Sequence, residues 1–204
     1  MIRTADVVVA GGGLIGCAVA RELARRGART VVVERGEVGE EASRAAAGMV
    51  APQAECERRG PVLTLGVLSR ARYGAWVAAV EAESGIDVEY CSDGILYVAL
   101  TPGDERVLAA RARWQRAAGL RVRRLGLGQA RRLVPSLARP VRAVLHFPDD
   151  HRVNNEGLFY ATGHYRSGIL LAPVTAEAIA DLVLSGHTAL PLRGMSAERF
   201  AHRG

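Results

Sequence analysis

The chain has 204 residues, of which 49% are hydrophobic and 24% are charged, a composition typical of an ordinary globular protein. Its net charge is +6, and because it contains no lysine, all of the basic side chains counted are arginines. The arginines between Arg106 and Arg142 lie at helical spacing among alanines and leucines, without the interleaved aromatic residues of a single-strand nucleic-acid binder. We therefore expect no nucleic-acid partner.

Cysteine content and the first residues indicate the cellular compartment. Cys17, Cys56 and Cys91 are too few and too widely spaced to predict a disulfide framework or a zinc site. Met1-Ile2-Arg3 leads directly into an apolar strand, so we expect no signal peptide. The longest apolar stretches are shorter than a membrane span requires. A cytoplasmic protein without a metal site or a membrane span is expected.

The first elements in chain order are a strand, a glycine-rich turn, a helix and a second strand. Residues 5–10 are predicted to form a buried strand, and residues 11–16 supply the motif G-x-G-x-x-G. A helix begins inside this loop and continues to Arg26, and residues 30–33 form the next strand, followed at once by Glu34. This order is typical of a β-α-β unit that binds a dinucleotide.

Each glycine of the motif has a physical role. Gly11 permits the tight turn, Gly13 allows a diphosphate to approach the backbone, and Gly16 lets the helix pack closely on the strand. Glu34 can accept hydrogen bonds from ribose hydroxyls and would repel a 2′-phosphate, so NADP is disfavoured. NAD and FAD both remain open at this point, as does a glycine-rich packing turn in a domain that binds no nucleotide.

The middle of the chain changes from helical to strand-like patterns. The small residues 42–49 are predicted to begin a short helix, and residues 62–83 form a long helix ended by Gly85. Residues 88–90 and 95–100 are predicted as two strands joined by a turn at 92–94. Beyond them the pattern predicts a helix capped at Thr101, a strand over 121–125, a short helix over 130–133 and a strand over 142–147.

The last segment repeats the order strand, turn, helix. Residues 158–161 are predicted as a strand, residues 162–167 as a turn, and residues 168–184 as a helix with Pro173 near its start. Residues 191–204 are predicted to be a tail.

Three stretches of the sequence resemble a known family. They are residues 6–34, residues 42–57 with the runs ASRAAAGMVAP and AECE, and residues 161–173, which read ATGHYRSGILLAP. Together they resemble the FAD-dependent amine and amino-acid oxidases of the DAO type, and within them the glycine oxidases of thiamine biosynthesis. The resemblance implies an α/β chain with a Rossmann-like, three-layer FAD-binding fold of the glutathione-reductase type and a partial α+β substrate domain.

The resemblance also implies a domain organisation. Residues 1–85 and 156–190 would form a discontinuous FAD-binding domain, and residues 86–155 a partial substrate domain. Between residues 153 and 156 the family carries roughly 150 further residues, about one domain, whereas here Asn154-Asn155 leads directly to Glu156-Gly157. We interpret the chain as an internally shortened version of the family, without the tryptophan- and arginine-containing segment that holds the substrate carboxylate.

The residues implied to contact FAD fall into two groups. Around the glycine motif and the second strand they are Gly11, Gly13, Leu14, Ile15, Gly16, Glu34 and Arg35. In the two later stretches they are Ala42, Ser43, Ala46, Ala47, Gly48, Met49, His164, Tyr165, Arg166, Ser167, Gly168, Ile169 and Leu170. The planar guanidinium of Arg166 suits an amino-acid carboxylate, so Arg166 and Met49 are the implied substrate residues.

The implied activity is oxidative deamination. Glycine or another small amine would be oxidised to an imine that hydrolyses to a 2-oxo acid and ammonia, while O2 reoxidises the flavin and yields hydrogen peroxide. No catalytic acid or base is assigned, because such a reaction depends mainly on substrate position.

The sequence leaves other functions open. One is a non-catalytic FAD or dinucleotide-binding module that lacks most of the substrate pocket. A second is a dehydrogenase that passes electrons to a quinone. A third is a nicotinamide enzyme, which leaves residues 45–49 and 163–173 without a role. Exposed strand edges would also favour a homo-oligomer.

Overall fold

The computed structural model describes residues 4–40, 46–138, 140–153 and 167–192. In chain order the elements within these ranges are β1 (Val7–Ala10), α1 (Leu14–Arg25), β2 (Thr30–Val33), β3 (Met49–Val50), α2 (Pro52–Glu55), α3 (Pro61–Ser84), β4 (Ile95–Ala99), α4 (Pro102–Arg116), β5 (Arg123–Leu125), α5 (Leu127–Leu133), β6 (Ala143–Phe147), β7 (His151–Arg152) and α6 (Gly168–Ser185). Helices and strands alternate through most of the chain, which confirms the predicted α/β class.

The β-α-β unit forms as the sequence predicts. β1 and β2 are parallel neighbours, with Val7 opposite Thr30, and α1 is the crossover that a parallel pair requires. The apolar side of α1 is buried through Leu14, Ala18, Val19 and Leu23. These residues lie in a core that α1 shares with α3 and α6, which we call the nucleotide-side core.

A second core lies against a three-stranded antiparallel sheet with the strand order β4-β6-β5. Helix α4 covers this sheet and buries Leu108 and Ala112 against Leu145 and Phe147. Thr101 caps α4 in a capping box with Asp104, as the sequence predicts for the cap. We call this second cluster the sheet-side core.

The short antiparallel pair of β3 and β7 connects the nucleotide-side core with the sheet-side core. Met49 lies opposite Arg152, and Val50 lies opposite His151. Val50 belongs to the nucleotide-side core, while the next residue, Ala51, belongs to the sheet-side core. Because Met49 also packs against the sheet-side core, the successive residues Met49, Val50 and Ala51 contact the two cores alternately.

One predicted element is wrong, and a second is wrong in the part that the structure describes. Residues 88–90 form no strand, because Glu89 adopts φ +48 and the nearby pairing is a single bridge between Cys91 and Arg152. β4 pairs instead with β6, which begins 48 residues later, with Ile95 opposite Phe147. The second element is the short helix predicted to begin within residues 42–49. Residues 42–45 lie outside the described residues, and residues 46–48 are not helical, with Gly48 at φ +68. The short helix that does form, α2, begins only at Pro52.

The last helix is more apolar than expected. α6 has 18 residues and a mean hydropathy of 1.6, so by length and composition alone it is sufficient to span a membrane. This corrects the expectation that every apolar stretch is too short, while the absence of a membrane span stays a prediction. In the structure 56% of it is buried, against α1 and α3. The predicted strand over 158–161 and most of the predicted tail lie outside the described residues.

Candidate dinucleotide site

The glycine loop between β1 and α1 has the backbone geometry that its motif predicts. Gly11 has φ +103, and its N–H donates to the carbonyl oxygen of Val33 at 2.8 Å, which continues the contact between the two strands. A Cβ atom on Gly16 would lie 2.0 Å from the carbonyl oxygen of Gly11. Any larger residue at position 16 would therefore force the helix away from the loop.

The start of α1 is suited to an anion. Gly13 precedes the helix without a side-chain cap, and the first turn contains no acidic residue. The N–H groups of Leu14, Ile15 and Gly16 belong to this turn, where a helix supplies no carbonyl partner. Together with the positive end of the helix dipole they would attract a diphosphate.

Glu34 lies beside this loop at the end of β2. Its Oε2 accepts a hydrogen bond from the N–H of Gly12 at 2.7 Å. Its Oε1 accepts bonds from the N–H groups of Arg35 at 2.7 Å and Gly36 at 3.0 Å. These bonds, above all that from Gly12, hold the pKa of Glu34 below its usual range. The carboxylate is thus ionised and fixed, and Oε2 keeps an acceptor position for a ribose hydroxyl.

The segment 46–49 is held against the chain just before residue 154. The carbonyl oxygen of Gly48 accepts a hydrogen bond from the N–H of Val153 at 2.9 Å. A Cβ atom on Gly48 would lie 1.9 Å from the carbonyl oxygen of Val153. Glycine is therefore required at position 48 both for its positive φ and for this contact. Ala46 and Met49 are half-buried, whereas Ala47 is exposed.

Helix α3 brings the start of α6 close to the residues that follow β3. A Cβ atom on Gly66 would lie 2.9 Å from Pro52 and 3.1 Å from Leu170, so these two elements meet over this glycine. The hydroxyl of Tyr73 donates to the carbonyl oxygen of Ile169 at 2.9 Å. Two stretches far apart in sequence thus converge, as the resemblance implies. Gly66 and Tyr73 were not predicted as site residues, although a glycine inside a long helix is a local signal of close packing.

The remaining predicted site residues divide into two sets. Arg35 is exposed beside Glu34, and Ser167 precedes the buried start of α6 at Gly168. The positions of Ala42, Ser43, His164, Tyr165 and Arg166 lie outside the described residues. Within the part of the chain that the structure describes, no group of three or more His, Cys, Asp or Glu side chains could hold a metal ion.

A groove of about 360 Å³ runs along β1 and reaches the glycine loop at Gly11 and Gly13. It is lined by the four residues of β1 and, on the other side, by Ile179 and Val183 of α6. Among the described strands, β1 pairs only with β2. Val8 is 63% exposed and Val183 is 48% exposed, so this apolar surface is open.

Residues 6–158 match the family model described as DAO, FAD dependent oxidoreductase. The chain belongs to this family. FAD is the cofactor of the family, which confirms the predicted cofactor and the predicted fold class. The nicotinamide reading is therefore set aside.

Individual DAO-family relatives give a finer comparison. The glycine oxidase of Geobacillus kaustophilus (strain HTA426) is 33% identical over 165 residues, which are 80% of this chain and 44% of that protein. The bifunctional protein ThiO/ThiG of Synechocystis sp. is 45% identical over 97 residues, 47% of this chain and 15% of that protein. The crystal structure of glycine oxidase from Geobacillus kaustophilus superposes with a TM-score of 0.72 at 31% identity, covering 84% of this chain and 45% of that one. The chain thus spans less than half the length of these relatives.

Proposed function

We propose that the chain binds FAD and acts as an oxidoreductase of the glycine-oxidase type. The observation that carries this proposal is the fixed Glu34 carboxylate beside a glycine loop that tolerates no side chain at position 16. This combination provides N–H groups for a diphosphate and an acceptor for a ribose. The backbone at Gly48 is a second feature that supports the same cofactor. A methyl group at this position would collide with Val153, so the backbone there stays uncovered by a side chain and can approach FAD.

In this proposal each described element has one task. The start of α1 would hold the diphosphate, Glu34 would hold the adenosine ribose, and the segment 46–49 with the start of α6 would contact the flavin half. The N-terminus of α6 has no side-chain cap, so its positive end can stabilise negative charge nearby. When bound, FAD supplies the two-electron oxidation of the amine.

The proposed substrate is glycine or another small amine, with O2 as the electron acceptor and hydrogen peroxide as a product. Arg166 and Met49 remain the predicted substrate residues. The proposal keeps the predicted domains, with residues 1–85 and 156–190 binding FAD and residues 86–155 forming a partial substrate domain. A cytoplasmic location and a homo-oligomeric state also remain predictions.

A second candidate function is an FAD-binding module without turnover. The open groove along β1 favours it, because parallel strands are ordinarily covered on both sides and Val8 here is 63% exposed. The short length relative to the glycine oxidase also favours it, since the chain covers 44% of that protein. The two candidates share the FAD site and differ only in whether a substrate is held over it.

The test is the visible spectrum of the purified protein with added FAD, followed by anaerobic addition of glycine and a peroxide assay in air. Flavin absorbance that glycine bleaches supports the oxidase, and a stable flavin spectrum without peroxide supports the binding module. A colourless protein after FAD addition and desalting contradicts both. Glu34→Ala should weaken FAD binding about tenfold or more, whereas Glu37→Ala, which changes an exposed carboxylate in the same loop, should leave it unchanged.

A further inference from the structure

A buried carboxylate outside the glycine loop takes no part in the dinucleotide site. Asp150 lies between β6 and β7 and is fully buried. Its Oδ1 accepts a hydrogen bond from Nη1 of Arg70 at 2.7 Å and its Oδ2 accepts one from the N–H of Ala54 at 2.8 Å. Oδ1 also lies 3.3 Å from the N–H of Gln53. The carboxylate thus binds the backbone of α2 directly.

The helix α2 is held from other sides as well. Gln53 is fully buried, and its side-chain oxygen accepts a bond from Nη1 of Arg70 at 2.9 Å. Its backbone carbonyl accepts a bond from Nε2 of Gln115 at 2.7 Å, while Nη1 of Arg111 donates to the carbonyl of Ala54. A helix of only four residues is therefore fixed by charged and polar side chains from α3, α4 and the turn before β7.

Such a network is costly, because each buried ion loses much of its favourable hydration. Apolar side chains of similar volume often stabilise a fold equally well or better. The Asp150 pair with Arg70 is therefore weakly explained by stability alone. It is better explained by a requirement for one backbone position of α2, since a fully satisfied buried network specifies a unique arrangement.

The position of α2 fixes the segment before it. Gly48 and Met49 are joined to α2 by only two residues, and Gly48 is bonded to Val153 while Met49 lies opposite Arg152. Residues 150–153 thus bind this segment at both ends, through the Asp150 side chain at α2 and the Val153 backbone at Gly48. We propose that Asp150, with Arg70, is a positioning residue that sets segment 46–49 for contact with the flavin half of FAD. This inference rests on the proposed FAD site.

The experiment compares the binding of FAD and ADP by Asp150→Asn, with Asp149→Asn as the matched control. ADP would occupy the glycine loop and Glu34 without reaching segment 46–49, so it reports whether the β-α-β unit is intact. Asp149 is the adjacent carboxylate, and it pairs with the exposed Arg121 rather than with α2. We expect Asp150→Asn to weaken FAD about tenfold or more while ADP affinity changes less than about twofold.

Three results overturn the proposal. These are an unchanged FAD affinity in Asp150→Asn, an equal loss for FAD and ADP, and an equal effect of Asp149→Asn. If Asp150→Asn does not fold, Arg70→Lys is the second variant, since it keeps the charge beside Asp150 and loses the reach to Gln53; the same selective loss of FAD is then expected.

Trypsin cleavage separates this inference from the FAD proposal. Arg58 and Arg59 are exposed directly after α2, so release of α2 in Asp150→Asn should speed cleavage there relative to cleavage after Arg132 in α5. If the native protein binds no FAD, the proposed function fails, whereas faster cleavage at Arg58 and Arg59 still supports the anchoring of α2. Unchanged cleavage at these sites contradicts the anchoring.

Discussion

Single atoms decide the chemistry of the glycine loop. At position 16 the carbonyl oxygen of Gly11 occupies the place of a Cβ atom, at 2.0 Å. At position 34 a side chain reaches back across 22 residues to the N–H of Gly12. One position excludes a side chain and the other requires one, so substitutions at these two positions affect the cofactor for opposite physical reasons.

Gly16→Ala should weaken FAD binding by at least about tenfold, because the added methyl group must displace either α1 or the loop that holds the diphosphate. Titration of flavin fluorescence gives the dissociation constant. The control is Gly128→Ala in α5, where a Cβ atom meets no atom within 4 Å. It should leave FAD affinity unchanged and stabilise the fold slightly, because alanine favours a helix over glycine. Equal FAD affinity in both variants would contradict the steric account.

Asp150 should also make stability depend on pH. Burial raises the pKa of Asp150 to about 6, although Arg70 and the N–H groups of α2 lower it. Because an unfolded aspartate titrates near about 3.9, the native state binds more protons between these values. The unfolding free energy should therefore fall as pH rises from about 4 through 6.

Urea unfolding of the native protein and of Asp150→Asn across this range measures that effect. Their difference in unfolding free energy isolates Asp150 from its titratable neighbours His151 and Cys56. A difference that does not change with pH would show that Asp150 titrates at the same pH in both states.

At the scale of elements, a side chain of α3 supplies a hydrogen bond that the backbone at the start of α6 lacks. Pro173 lies inside α6 and has no N–H, so the carbonyl of Ile169, four residues earlier, lacks its helical donor. The hydroxyl of Tyr73 in α3 donates to this carbonyl at 2.9 Å. The sequence predicts that Pro173 is tolerated near the helix start, but the compensating partner comes from another element.

Tyr73→Phe should cost about 1–3 kcal/mol of unfolding free energy, because it leaves the buried Ile169 carbonyl without a donor. Pro173→Ala restores a donor at position 173, so we expect it to recover much of this loss in the double variant. Chemical denaturation of the two single variants and the double variant measures the coupling. Tyr97→Phe is the control, since its hydroxyl makes no hydrogen bond within the described ranges and its removal should change stability little.

At the scale of the whole molecule, the nucleotide-side core and the sheet-side core are unequally covered. The sheet-side core lies between α4 and its sheet, whereas the groove beside β1 leaves Val8 63% and Ile179 38% exposed. Contiguous apolar patches on a soluble surface mark a binding site or an association surface. The groove is therefore a candidate surface for binding or association.

The dye ANS should bind the free protein at this groove, and the double variant Val8→Thr, Val183→Thr should reduce its fluorescence enhancement. Thr has nearly the shape of Val but carries a hydroxyl, so the apolar area falls without a large change in shape. Val107→Thr is the control, because Val107 is 57% exposed on α4 and does not line the groove. ANS fluorescence that responds equally to both changes would contradict a localised apolar surface.

The sequence alone determined the β-α-β unit, its glycine loop and the acid that follows β2. These features depend on backbone conformations and contacts within residues 6–34, where glycine, strand and helix patterns are local. The family resemblance added FAD as the cofactor, which the match over residues 6–158 confirms.

Only the tertiary structure decided how distant segments combine. The pairing of β4 with β6, the approach of Pro52 and Leu170 over Gly66, and the bond of Arg70 to Asp150 across 80 residues join parts of the chain with no common local pattern. Each depends on which surfaces are buried together. From sequence alone, the carboxylate of Asp150 in its loop would be expected to face water, whereas in the structure a guanidinium and two backbone N–H groups enclose it. Local patterns specify backbone shape, whereas long-range packing specifies the partners of buried side chains.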